Sequence, residues 1–484
     1  MYFRGGRANG EATVNTDIKI SRLWSLQMRE IYRLAIPLGL ANLLVLANTV
    51  VDTIMLGAVG AEALAGATLG IQLFLLLVVF GDGVVLAFAP TYTQALGGND
   101  RRGRAAVMRG TILVCLALSV GSICIMNAAE HVFRSLGIDS DLSSISGDYN
   151  KIAALSVFPT LLSIAGWELA SAHDKASCVL LASILGFIAN ASLNWIFIYG
   201  NLGFEPMGVM GASLSTFISS LIILGTIAIH LRRELSDLFG CRIGLTESLA
   251  SAAQVFKLGA PIGVIEIATV GFFASSTYLI SIYGAEVLAA HAIAYQVTEL
   301  AIVFVLGFGE AATIKIGLLF GTLRGKEIKT MARDLILGCI FLSLLLCALM
   351  IVLASEIPKV YFGFEASSLE QSQSLATQLI LIGATFTVLD ALQIVYLGIL
   401  RGLQDTAIPM VYVLVGYWLV GVPTGLLLSG PIGLGSQGVW YGLTIGLFAV
   451  CAGLCWRLKR RMAEVMEMPL ASHGNGTLNA ERSS

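Results

Sequence analysis

Charge is what this chain has least of. Asp, Glu, Lys and Arg make up 12% of its 484 residues, about half the share in soluble domains. A soluble chain of this length would divide into domains with polar exteriors, and there is too little charge here to build them. The formal net charge of −2 leaves no global basic field for nucleic acid. No GxxxxGK[ST] loop occurs, so ATP is not the direct energy source. There is no HExxH, no nucleophile–base set and no TVGYG-type filter, which argues against a membrane enzyme and a potassium-type channel. The eight cysteines show no CxxC and no Cys/His metal spacing. Most lie inside apolar runs and read as small buried hydrophobes. The five histidines form no metal motif. No cleavable leader is expected, because the first apolar run is too long for an h-region.

What the chain has in excess is hydrophobicity: 56% of residues are apolar and the mean hydropathy is +0.84. Apolar runs recur from Ile31 to Trp456 with short breaks, many near the roughly 20 residues that cross a bilayer as a helix. The expected fold is an all-α polytopic membrane protein with twelve transmembrane helices. Spans are placed near 31–56, 63–92, 106–128, 150–172, 176–199, 208–231, 257–283, 287–321, 334–354, 373–401, 407–429 and 433–457. A β-barrel would show ~10-residue alternating segments, and none occurs. Of the 29 lysines and arginines, 25 fall in the termini and in alternate loops of one side, with Arg401 counted among them. The opposite loops hold Arg134, Lys151 and Lys359, and Lys315 is intramembrane. By the positive-inside rule both termini are expected in the cytoplasm.

The chain repeats itself. Residues 34–73 lie on 258–297 without a gap, at an offset of 224, with ten of the 40 pairs identical. Pro37 falls on Pro261, and "GAEALAGATLGIQL" from Gly60 on "GAEVLAAHAIAYQV" from Gly284. Further on, "FGDG" at Phe80 matches "FGEA" at Phe308, which would pair Asp82 with Glu310. Each unit holds six spans, an even number, so the copies enter the membrane alike and are related by an axis along its normal. The organisation read from this is a cytoplasmic N-terminal segment (1–29), an N-lobe (30–231), an inter-lobe linker (232–256), a C-lobe (257–457) and a cytoplasmic tail (458–484). Two pseudo-symmetric six-helix lobes would flank a central cleft.

Ionisable groups at membrane depth cost several kcal/mol and mark function by default. Three acids stand out: Asp52 late in span 1, Glu266 in span 7 and Asp390 in span 10. None has a basic residue within a helical turn. The repeat sets Glu266 on Asn42 and Asp52 on Ser276, so the two lobes do not carry the same acids. Glu266 and Asp390 share a lobe and could face one another, holding a proton or a cation such as Na⁺. Asn190 and Asn194 lie four apart on one helical face and read first as interhelical hydrogen-bonding groups, with the polar lining of an N-lobe site beside Asp52 as the alternative. Asp82, Glu168, Glu299 and Glu310 read as secondary candidates with structural or cavity-lining roles. Lys315 can snorkel to the nearby membrane boundary, with a role as counter-charge to Glu310 as the alternative. Trp167, Tyr396, Tyr417, Trp418 and Trp440 read mainly as packing and interface residues. Pro37, Pro159, Pro261 and Pro423 mark expected bends.

Taken together, "VDTIMLGAVGAEALAGATLG", "HAIAYQVTELAIVFVLGFGEAATIKIG", "LNWIFIYGNLG" and "LDALQIVYLGILRGLQDTAIPM" followed by "GYWLVGVPTGLLL" resemble the multidrug and toxic compound extrusion (MATE) family, most of all its NorM-like branch. The resemblance covers roughly residues 30–457. It implies two six-helix lobes, a bacterial inner-membrane location and export of bulky, often cationic compounds against Na⁺ or H⁺. It carries cation coupling onto Asp52, Glu266 and Asp390, and matches Asn190 and Asn194. Phe386 stands where NorM-like members can carry a tyrosine. Drug-like small molecules and the lipid bilayer are the expected partners, with no cofactor, no nucleic acid and a monomeric chain. The competing reading is a lipid-linked oligosaccharide flippase, which would prefer a strongly basic cleft.

Overall fold

The computed structural model describes residues 8–362 and 370–467, and no β-strand occurs among them. The start of the expected N-terminal segment and the end of the expected tail, residues 468–484, lie outside the described residues. Twelve helices are long and apolar enough to cross a bilayer: Met28–Gly57, Ala61–Gly97, Arg101–Ser135, Ser140–Ala172, Ala176–Phe197, Gly208–His230, Leu245–Ser281, Ala285–Gly321, Gly325–Leu353, Glu370–Gly402, Ala407–Ser429 and Gly435–Glu467. These are spans 1–12. Several exceed the expected bounds because hydropathy reads the apolar stretch, not the helix. Span 8, at 37 residues, is about 55 Å long, well beyond a hydrocarbon core of about 30 Å. Large side chains such as Leu344, Val352 and Phe448 stay exposed, as lipid-facing positions require.

Spans 1, 4 and 7 run as continuous α-helix through Pro37, Pro159 and Pro261. The irregularities fall elsewhere. Span 2 breaks between Val85 and Phe88, where Pro90 has no N–H for the Leu86 carbonyl. Span 11 widens into a π-helix over Val415–Gly421, just before Pro423.

The repeat is visible as a seam. Span 1 packs on span 8, and span 2 on span 7, the same contact made twice by interchanged partners. Glycines let the backbones meet there. A Cβ on Gly39 would sit 3.2 Å from the Phe304 carbonyl oxygen, and one on Gly263 2.8 Å from that of Phe80. A Cβ on Gly83 would come 2.5 Å from Gly263 Cα, and one on Gly307 2.8 Å from Gly39 N. Nearer the basic loops, Gly97 abuts Leu318 and Gly321 abuts Gln94. Every one of these pairs obeys the offset of 224. The "FGDG"/"FGEA" match, at 228, is therefore one helical turn out of structural register. Asp82 falls on Leu306 and Glu310 on Leu86, so these acids are not repeat equivalents.

The core agrees with the seam. The largest cluster runs through both halves and includes Ile31, Leu38, Val84, Phe88, Ile262, Val305 and Ile316. Away from the basic loops each half has clusters of its own, around Leu56 and Tyr149 in the first and Ile293 and Trp440 in the second. The halves share one core at the basic end, and towards the other end each half keeps clusters of its own. Gly83→Ala should thus force the seam apart and cost about 1–3 kcal/mol by overpacking. Gly121→Ala, with nothing within 4 Å of its Cβ, should be neutral or slightly stabilising. Thermal midpoints of the solubilised variants check the contrast.

The segment between the halves is a short helix, Arg232–Gly240, and a turn that ends where span 7 begins at Leu245. It is pinned to the first half. Arg101 pairs with Asp237 at 2.5 Å and Lys175 with Glu234 at 2.6 Å. Arg109 donates to the carbonyls of Phe239, Cys241 and Ile243. Burial pushes the Glu234 carboxyl up, but the Lys175 hydrogen bond and charge, with its own backbone, outweigh this and hold it below the ordinary value. A depressed carboxyl contributes stability that is present above the unfolded value of about 4.3 and lost as pH falls through the folded one. Hydrogen-exchange protection of residues 232–240 should fall over that acid window, and Lys175→Met should flatten the dependence.

Candidate functional site

In the first half, Asp52 and the two asparagines come together as expected. Spans 1 and 5 pack side by side. Asn194 Nδ2 donates to Asp52 Oδ1 at 2.5 Å and to Asn190 Oδ1 at 2.9 Å. Both asparagines are fully buried. Asn190 Nδ2 and Asn194 Oδ1 have no partner, so the chain of polar groups has both donor and acceptor capacity to spare. Tyr199 anchors the end of span 1 by donating to the Met55 carbonyl at 2.8 Å.

In the second half, Asp390 is 6% exposed, and among the described residues no side chain donates to it. The neighbouring carbonyls of Leu389 and Ala391 are taken by the thiols of Cys451 and Cys339, at 3.1 and 3.2 Å. Aromatic rings stand near it: Tyr417 and Tyr295 are within its electrostatic reach, and Phe386 lies one turn before it on span 10. Phe272 stacks on Tyr417 with centroids 4.1 Å apart, and Phe386 meets Phe273 and Trp440 edge-on. Where a tyrosine would have brought a hydroxyl at 386, the nearby hydroxyl is that of Tyr417, which donates to Gln393 at 2.8 Å. Glu266 is within electrostatic reach of Asp390, so the two acids do share a neighbourhood.

Glu266 is not alone, however. Arg401, from the last turn of span 10, pairs with it at 3.0 Å. Sequence reasoning counted Arg401 as a loop cation; its guanidinium is instead turned inward and only 16% exposed. Two other partners were also missed. Gln393 fixes Tyr417. His291 Nδ1 accepts from Trp440 Nε1 at 3.2 Å, which leaves Nε2 to donate to Thr277 at 3.0 Å. The signals available were a cation one residue from a span end and a histidine within a span.

The secondary candidates divide. Glu310 receives Asn42 Nδ2 at 2.9 Å and Trp167 Nε1 at 3.0 Å. Asp82 and Glu168 lie within electrostatic reach of it. Glu299 stands apart, near Tyr295. Lys315 reaches Asp174 at 3.2 Å, an exposed loop residue, so it snorkels and does not serve Glu310. Among the described residues no three His, Cys, Asp or Glu side chains converge closely enough to hold a metal ion.

Twelve spans in two fused halves, with acids set among them in each, have the architecture of a two-lobed membrane transporter. Residues 37–196 and 261–427 match the MatE family model, and the chain belongs to that family of multidrug transporters. It is 32% identical over 464 residues to the probable multidrug resistance protein NorM of Brucella suis, covering 93% of this chain and 96% of that one. It is 28% identical over 452 residues to the one from Rhizobium meliloti, covering 93% and 97%. The solved structure of an outward-facing multidrug resistance MATE family transporter of the MOP superfamily superposes with a TM-score of 0.80, at 22% identity, over 91% of this chain and 97% of that one. That likeness supports the fold.

Proposed function

We propose that the protein is a secondary active multidrug exporter, exchanging Na⁺ or H⁺ for bulky, often cationic organic compounds by alternating access. The observation that carries this reading is Asp390: a carboxylate with no donor, with aromatic rings near it, in the half that also holds Glu266. Such a group must take up a proton or a cation when it leaves water. Occupancy changes its charge and biases the two arrangements of the halves. Asp52 with Asn194 and Asn190 offers the first half a second cation site.

By the positive-inside rule, the basic loops support a reading in which the fused end of the seam and both termini face the cytoplasm of a bacterial inner membrane. The cleft then opens outward. In that state the cation enters at Glu266 and Asp390 and favours release of the drug. Opening inward returns the cation and admits the next compound. The chain acts as a monomer, with no cofactor beyond the exchanged ion. A flippase for pyrophosphate-linked lipids is not favoured, because the inward-turned Arg401 is already engaged with Glu266 and Lys315 snorkels out to Asp174.

Everted vesicles carrying the protein test the reading, with Na⁺ and pH gradients imposed separately. One of the two should drive cationic dye uptake against its own gradient. Dye movement that only ever runs downhill would be that of a channel and would refute exchange.

A further inference from the structure

The seam holds charges that the sites above do not use. Glu310, in the second half, takes both of its hydrogen bonds from the first half, from Asn42 of span 1 and Trp167 of span 4. Glu168, the next residue, is 3% exposed, and its Oε2 has no partner. Asp82 comes in from span 2. The charged groups facing this point are Asp82, Glu168 and Glu310 themselves, Glu266 from span 7, and the guanidinium of Arg401 from span 10. Arg401 is already bonded to Glu266. Three carboxylates, Glu168 buried and Asp82 and Glu310 half-buried, therefore share the remainder of one positive charge. A buried ionised oxygen with no donor beside other carboxylates is among the most costly arrangements a protein can hold. A protonated acid there removes the repulsion and can itself donate.

We propose that Asp82, Glu168 and Glu310 form a proton-binding site across the seam, distinct from Asp52 and from Glu266 with Asp390, and that its proton must leave before the basic end of the seam can stay open. The inference rests on the alternating-access reading for its role, though not for its existence. When the halves part, Glu310 loses Asn42 and Trp167, and water enters from the basic side. The carboxyl O–H bond breaks, the proton passes to water as hydronium, and the electron pair stays on the carboxylate. The carboxylates, now charged and hydrated, repel and hold the seam apart. Closing requires a proton to return, so the seam is a latch that reads protons on its own side.

Infrared spectra of the purified full-length protein in H₂O and D₂O test the site directly. The wild type should show a protonated-carboxyl C=O band that shifts in D₂O. It should weaken in at least one of Asp82→Asn, Glu168→Gln and Glu310→Gln, and survive in part in Asp390→Asn. A band unchanged in all three seam variants would overturn the proposal. Hydrogen exchange of residues 86–97 and 310–321 tests the latch. The double variant Glu168→Gln/Glu310→Gln should slow exchange about tenfold and flatten its dependence on pH, while Glu168→Asp should keep that dependence. Unaltered exchange and pH dependence in the double variant would overturn the latch. Neither readout needs a transported compound, so absent dye flux with an intact band would count against export alone.

Discussion

Asp390→Asn is expected to abolish dye efflux while leaving the folded protein intact. The substitution keeps the size and polarity of a side chain that sits 6% exposed in close packing, so it opens no cavity. It also removes no hydrogen bond, because among the described residues none is donated to the carboxylate. What is lost is the ability to change charge. A ligand shifts two arrangements only by its differential affinity for them, and an amide has no such difference to offer a proton and much less to offer Na⁺. A loss of at least about 100-fold in transport, close to 3 kcal/mol of coupling, is anticipated. Expression level and thermal midpoint should match the wild type. Full efflux by this variant would remove Asp390 from the mechanism.

Arg401→Gln is expected to do the reverse, damaging the fold first. It would leave Glu266 beside Asp82 and Asp390 with no opposing charge. Removing one partner of a buried pair costs about 3–5 kcal/mol, and the lower end applies because Glu266 is 33% exposed. The pair can be isolated by a double-mutant cycle. Glu266→Gln/Arg401→Gln should recover most of the thermal stability that Arg401→Gln loses. If the two losses simply add, the ion pair is not what holds Glu266 in place.

Much of the architecture was legible because a bilayer imposes one simple rule on every span. All twelve spans occur where hydropathy puts them. Their ends did not follow, since helices such as Arg101–Ser135 continue through charged turns that a hydropathy window excludes. Carried on at its offset of 224, the gapless repeat maps the crossing of Gly39 with Gly307 onto that of Gly263 with Gly83, because a two-fold axis makes the same contact twice with the partners interchanged. The short "FGDG" match misled by one turn, as four letters rich in glycine can recur by chance. Asp52, Asn190 and Asn194 were found from the expense of burying polar groups in oil. Arg401 was not, because a long side chain at a span end points outward or inward according to its neighbours, and span 7 is 135 residues away in sequence.

Reciprocity supplies the most direct measurement. If a cation gradient drives drug movement through these acids, a drug gradient must drive cation movement the other way. Proteoliposomes loaded with a cationic dye and diluted into dye-free buffer should take up Na⁺ or H⁺ as the dye leaves, and Asp390→Asn should take up neither. Dye that leaves through the wild-type protein with no countermovement of either cation would contradict the account.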